Sequence, residues 1–175
     1  MGRDTQLVPE YCLQISHNML KTEKTCLPSP LYMSSQQDIN EKMRAILVDW
    51  IIEVHLKYKL QPETLFLTVN LIDRCLEVTS INRQYLQLVG VTAMFIASKY
   101  EEIYPPPVSD FVYITNNAYS KQEIFMMEQT ILTTLDFKIS VCTPYRFLER
   151  FCKAAEDSDK LWNLARYLIE LPLIE

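Results

Sequence analysis

Arg44, Asp73 and Glu128 are charged residues at positions that helical spacing assigns to apolar faces. On a wheel of about 100° per residue, Arg44 falls between Ile51 and His55, Asp73 between Val69 and Phe66, and Glu128 between Leu135 and Leu132. A charge buried without a partner costs several kcal/mol, so Arg44 and Asp73 are predicted to pair and to hold their two helices together. For Glu128 the nearby basic candidate is Lys99. Two readings stand there: an internal ion pair, or two groups at the edge of the core that hydrogen-bond the backbone of another protein.

None of this is catalytic chemistry. Glu101 and Glu102 are adjacent, so on a helix they point about 100° apart and cannot share a substrate proton; they are expected to be a solvated helix end. Asp49 and Glu53 form a like-charge pair on the polar side of their helix, also expected to be solvated. The five cysteines, Cys12, Cys26, Cys75, Cys142 and Cys152, are odd in number and contain no C-x-x-C, which suits reduced thiols in an intracellular compartment. With only His17 and His55 besides, no metal site and no cofactor are expected. The two glycines, Gly2 and Gly90, leave no phosphate-binding loop. A net charge of −5 would repel a nucleic-acid backbone, and no apolar run of about 20 residues suggests a membrane span. Met1-Gly2-Arg3 lacks the Ser/Thr of a myristoylation motif.

The elements that must position these charges are helices. A chain of 175 residues can bury one core and the beginning of a second. Tyr11, Ile15 and Met19 mark a short helix from Val8 to about Lys21, followed by a polar linker to Gln37. Asp38 or Asn40 can cap a helix through Tyr58, and Pro62 opens the next, to about Val78. After a polar break at Thr79 to Asn82, Leu88 to Ser98 is apolar all round and reads as a central, enclosed helix. Pro105-Pro106-Pro107 stops it. A short helix runs from Ser109 to Ile114, and Ser120 with Glu123 is a capping box for a fifth, to near Asp136. Thr143-Pro144 starts another helix, and Asp159 to Leu171 forms the last before Pro172. The expected architecture is all-α: residues 1–37 as helix and linker, 38–139 as a five-helix domain, and 140–175 as the beginning of a second domain.

The helix after Asn40 spreads its apolar residues over roughly 240°, far beyond the ~100° stripe of a single contact. It should touch two things at once.

The strings MRAILVDW (Met43 to Trp50), NLIDR (Asn70 to Arg74) and LQLVGVTAMFIASKYEEIYPP (Leu86 to Pro106) resemble the cyclin box of mitotic cyclins, the B type more than the A type. The resemblance runs from about Tyr11 onward. It implies a regulatory subunit, not an enzyme, that binds and activates a cyclin-dependent protein kinase at entry into mitosis, in the nucleus and cytoplasm. It further implies that Lys99 and Glu128 hold the kinase backbone, with Tyr100, Leu132, Phe137 and Ile139 as apolar kinase-facing positions and Tyr11 and Ile15 on an N-terminal helix that packs on the kinase. Met43, Ile46, Leu47, Trp50, Glu53, Leu86 and Gln87 match the family's hydrophobic patch for Arg-x-Leu motifs of substrates and inhibitors; the competing reading is that this stripe is core. Family members carry two boxes, and the second is expected to be incomplete here. Between Arg3 and Leu7 no Arg-x-x-Leu destruction motif is formed. A cyclin-fold transcription factor and a helical adaptor without effect on a kinase are the competing functions.

Overall fold

The computed structural model describes residues 9–155 and 159–175, and the described residues are helical with no strand. The helices are α1 (Cys12–Glu23), α2 (Glu41–Tyr58), α3 (Pro62–Val78), α4 (Leu86–Glu101), α5 (Val108–Ile114), α6 (Lys121–Thr134), α7 (Pro144–Ala155) and α8 (Asp159–Glu170). The expected start at Val8 and the stretch from Arg3 to Leu7 lie outside the described residues.

The helix ends follow local chemistry. The Asn40 side chain accepts from Met43 N at 3.1 Å and caps α2. Asp38, the other candidate cap, instead accepts from Arg83 N at 2.8 Å. Lys59 ends α2 in the left-handed conformation with φ 53°. Pro62 sits in the first turn of α3, where its missing N–H costs nothing. Ser120 and Glu123 cap α6 reciprocally. Pro172 does not stop the chain's last helical turn: α8 passes directly into a 3-10 turn at Leu171–Leu173, which the first-turn tolerance of proline permits.

α4 is the axis of the fold. From Leu86 to Ser98, only Gln87 retains substantial exposure, because α3 lies along one side and α2, α5 and α6 enclose the rest. Gly90 leaves room for the Leu47 side chain at the crossing with α2. A Cβ there would stand 2.7 Å from Leu47 Cδ1 and 3.2 Å from Leu47 Cγ, closer than packed carbons approach. Around α4 the core holds Ile51, Leu71, Ile72, Leu76, Met94, Phe111, Ile124 and Ile131.

The segment before α2 is not a free polar linker. It forms a 3-10 turn at Tyr32–Ser35 that docks on α3. Gln36 Nε2 donates to the carbonyls of Leu76, 2.5 Å, and Thr79, 2.7 Å, and its Oε1 accepts from Ile81 N at 3.1 Å. One amide therefore satisfies the carboxyl end of α3 and the break that follows, where Ile81 is itself buried. By contrast, α1 buries no residue, and Tyr11 and Ile15 are about half exposed.

α7 leans on α3 through Phe66 and Tyr145, whose rings lie 6.0 Å apart, and Tyr145 meets Trp162 of α8 edge-on. Arg146 on α7 reaches Glu63 of α3 at 3.4 Å, Glu101 of α4 at 3.7 Å and Glu149 at 3.0 Å. The expectation of a solvated Glu101-Glu102 end is thereby corrected. Burial raises the pKa of Glu101 while Arg146 opposes that shift. The Glu102 carboxylate accepts from Gln61 N at 2.7 Å and Thr64 Oγ1 at 2.5 Å. It caps α3 from across the fold, since Gln61, the N-cap residue, supplies no side-chain bond of its own.

Candidate functional site

Arg44 and Asp73 meet in a two-bond fork: Nε donates to Oδ1 at 2.7 Å and an Nη to Oδ2 at 2.8 Å, both groups buried. Two further ties were not visible in the periodicity. Tyr32 donates its hydroxyl to Asp73 Oδ1 at 2.6 Å, and the other Nη of Arg44 donates to the carbonyl of Leu173 at 3.0 Å. The pair thus fastens α2, α3, the segment before α2 and the end of the chain together. Burial and the Asp73 charge push the Tyr32 phenol well above its ordinary value. Burial works against the charge on Arg44, but Asp73 more than offsets it, and the guanidinium is held protonated.

The second constellation is a rim at the carboxyl end of α4. Burial stops abruptly after Ser98, and Lys99 and Tyr100 emerge into solvent. Lys99 Nζ pairs with Glu128 of α6 and lies 4.2 Å from the centre of the Phe95 ring. The Glu128 side chain is only 14 % exposed and that of Lys99 42 %. The internal ion pair therefore exists in the isolated chain, and its lysine end is open to a partner. Tyr100 is 50 % exposed and Phe137 67 %, while Leu132 and Ile139 are partly buried against the core.

Phe137 is displayed by a strained turn. Asp136 and Phe137 both adopt positive φ, 53° and 55°, a region costly for side chains other than glycine and asparagine. The turn is held by Phe137 N to the Leu132 carbonyl at 2.8 Å and by Arg74 Nη to the Lys138 carbonyl at 2.8 Å. Nothing in the sequence pattern signalled this turn, since no glycine marks it.

The third is an open groove of about 580 Å³ between α2 and the start of α4. Leu47 and Leu86 are buried and form its floor; Met43 and Trp50 are half-buried walls that also pack on the core, and Ile46 is 63 % exposed. Gln87 lines it, whereas Glu53 is exposed and lies outside the lining. One side of α2 packs on α3 and α4, and another faces the groove. Asn40, Lys42 and Arg83 also line it and were missed, because hydrophobic spacing selects only apolar positions. Arg83 stands three and four residues before Leu86 and Gln87, a helical spacing that could have found it.

Gln87 and Lys99 lie twelve residues apart on α4, so the groove and the rim are separated by about 18 Å along one helix. Among the described residues there is no cluster suited to a metal, all five cysteines are free, and no helix is long and apolar enough to cross a membrane. Burial pushes the Cys75 thiol up to about 11, which keeps it an unreactive core residue.

The family model for the cyclin N-terminal domain matches residues 14–140, and that for the cyclin C-terminal domain matches residues 142–175. Cyclin-B2-1 of Oryza sativa subsp. japonica is 52% identical over 166 residues, covering 95% of this chain and 40% of that protein. Cyclin-B1-3 of Arabidopsis thaliana is 54% identical over 144 residues, 82% of this chain and 35% of the relative. G2/mitotic-specific cyclin-1 of Medicago sativa subsp. varia is 52% identical over 174 residues, 99% of this chain and 41% of the relative. The chain thus spans about two fifths of the length of these relatives. A viral cyclin from herpesvirus saimiri, solved by X-ray diffraction, shares the fold with a TM-score of 0.79 at 23% identity, over 94% of this chain and 72% of that one.

Proposed function

The chain belongs to the cyclin family, and from that premise we propose that it is a non-catalytic regulatory subunit. It binds and activates a cyclin-dependent protein kinase, in the nucleus and cytoplasm, and takes part in entry into mitosis. The observation that carries this reading is the rim around Lys99. Lys99 and the half-exposed Tyr100 emerge side by side where the burial of α4 ends, and the Phe137 ring stands exposed in the turn after α6; exposed apolar side chains of this kind mark a surface for a protein partner. The Glu128 pairing is compatible with kinase contact, because a lysine ammonium has three donors and Glu128 takes one. Tyr11, in the turn that leads into α1, and Ile15 on the little-anchored α1 extend the same reading to an N-terminal contact. The groove around Trp50, at the other end of α4, is read as the dock for Arg-x-Leu segments of substrates or inhibitors.

The test is to mix the chain with a cyclin-dependent kinase and measure phosphate transfer to a substrate peptide. Stimulation by the chain is expected. A double substitution, Lys99→Ala with Glu128→Ala, should weaken kinase binding by more than ~2 kcal/mol with the helical circular-dichroism spectrum retained. Absence of both complex and stimulation would sink the reading. A double variant that unfolds while residual folded protein still binds normally would assign the pair to the core alone.

A further inference from the structure

The groove between α2 and α4 carries a charge pattern that its apolar floor does not explain. Lys42, in the first turn of α2, and Arg83, in the 3-10 turn at Arg83–Tyr85, both line it. No carboxylate lines it; Asn40 and Gln87 are the remaining polar members. Both cations are exposed, and neither has a side-chain carboxylate partner among the described residues. Asp38 is taken up by the backbone N–H of Arg83, which leaves the guanidinium free of that bond. The lining as a whole is apolar and cationic, in a chain whose net charge is −5.

We infer that the groove selects docking peptides whose apolar anchor is flanked by aspartate or glutamate, with the flanking carboxylates set against Lys42 and Arg83. This rests on the reading of the groove as a peptide dock and adds the class of peptide it prefers. Apolar side chains over Leu47, Trp50 and Leu86 supply the burial, which is indifferent to flanking charge. The two cations supply discrimination, because a basic or neutral flank leaves them without a partner whereas an acidic one gains two charge-assisted contacts. The arginine of an Arg-x-Leu motif has no acceptor carboxylate within the groove and must lie toward Asp49 and Glu53, both exposed beyond its lining. A peptide lying across the groove is thus read basic at one end and acidic at the other. A phosphate dianion is the poorer match, since its three oxygens call for converging donors and only two cations line the groove.

The experiment measures binding of fluorescein-labelled peptides to the whole chain by anisotropy at low and moderate salt. The probes share one Arg-x-Leu core and differ in the flank: Glu-Glu, Gln-Gln or phosphoserine. The Glu-Glu peptide is expected to bind about three- to tenfold more tightly than the Gln-Gln peptide, the range for two exposed charge pairs, with the ratio falling as salt rises. Lys42→Ala combined with Arg83→Ala should bring that ratio to about one, and Arg83→Glu should push it below one. Equal binding of the Glu-Glu and Gln-Gln peptides, or a ratio that survives the double substitution, would overturn the charge selection while leaving the dock intact. A phosphoserine peptide that outbinds Glu-Glu by more than tenfold would overturn the assignment to carboxylates in favour of a phosphorylated ligand. Failure of every peptide to bind, with no response to Trp50→Ala, would overturn the dock and this inference together.

Discussion

Replacing Arg44 by alanine should be among the most damaging single changes in this chain. The guanidinium makes three hydrogen bonds: two to Asp73, at 2.7 and 2.8 Å, and one to the Leu173 carbonyl at 3.0 Å. Without it, Asp73, 8 % exposed, is left with only the Tyr32 hydroxyl as a strong donor. Breaking a buried ion pair from one side costs about 3–5 kcal/mol, a large share of the stability of an ordinary domain. Tyr32→Phe removes a single bond to a charged acceptor and should cost about 1–2 kcal/mol. Since both changes act on one carboxylate, their effects should not add, and a double-mutant cycle should show coupling of about 1 kcal/mol or more. Replacing both charges, Arg44→Met with Asp73→Leu, should recover much of the loss. Urea unfolding followed by circular dichroism measures the four variants against the parent chain. An Arg44→Ala cost below about 1 kcal/mol, or strict additivity with Tyr32→Phe, would refute the view of a desolvated hub.

Three further outcomes follow from the same geometry. Trp50→Ala should weaken binding of an Arg-x-Leu peptide by about tenfold or more while kinase binding, some 18 Å away along α4, holds; parallel loss of both would assign Trp50 to the core. Glu102→Ala should cost about 1 kcal/mol by removing the cap on α3, seen as a lower urea midpoint. His55 is buried, Nδ1 has no hydrogen-bond partner, and burial lowers its pKa from 6.5 although Glu170 pulls the other way. The unfolded chain therefore binds the proton more readily, so its contribution to stability is intact above about 6.5 and is lost as pH falls from there toward the lowered folded value. Relative to His55→Gln, the parent chain should lose up to about 1.4 kcal/mol per pH unit in that window; identical pH profiles would rule this out.

The sequence was strong wherever a local rule governs. Apolar spacing located the five helices between Asn40 and Asp136, because burial of one face imposes the helical period. Proline and capping residues set most boundaries to within a residue or two, because they act on the backbone beside them. The demand that a buried charge find a partner joined Arg44 to Asp73, two residues 29 positions apart, without coordinates. The excess apolar arc of α2 likewise announced a second surface.

What the chain order could not announce lies in contacts between distant segments. Gln36 closing the end of α3, Glu102 capping its start and Leu173 bonding Arg44 all join groups that have no spacing rule between them. The left-handed Phe137 was equally hidden, since its strain is held by the Arg74 contact from α3. Lys99 and Glu128 show the division most clearly. Sequence established that these two were the charges to account for; only the packing of α4 against α6 determined that they pair, with the glutamate sheltered and the lysine left facing outward. Periodicity records which face of a helix avoids water, and it carries no record of which distant atom arrives there.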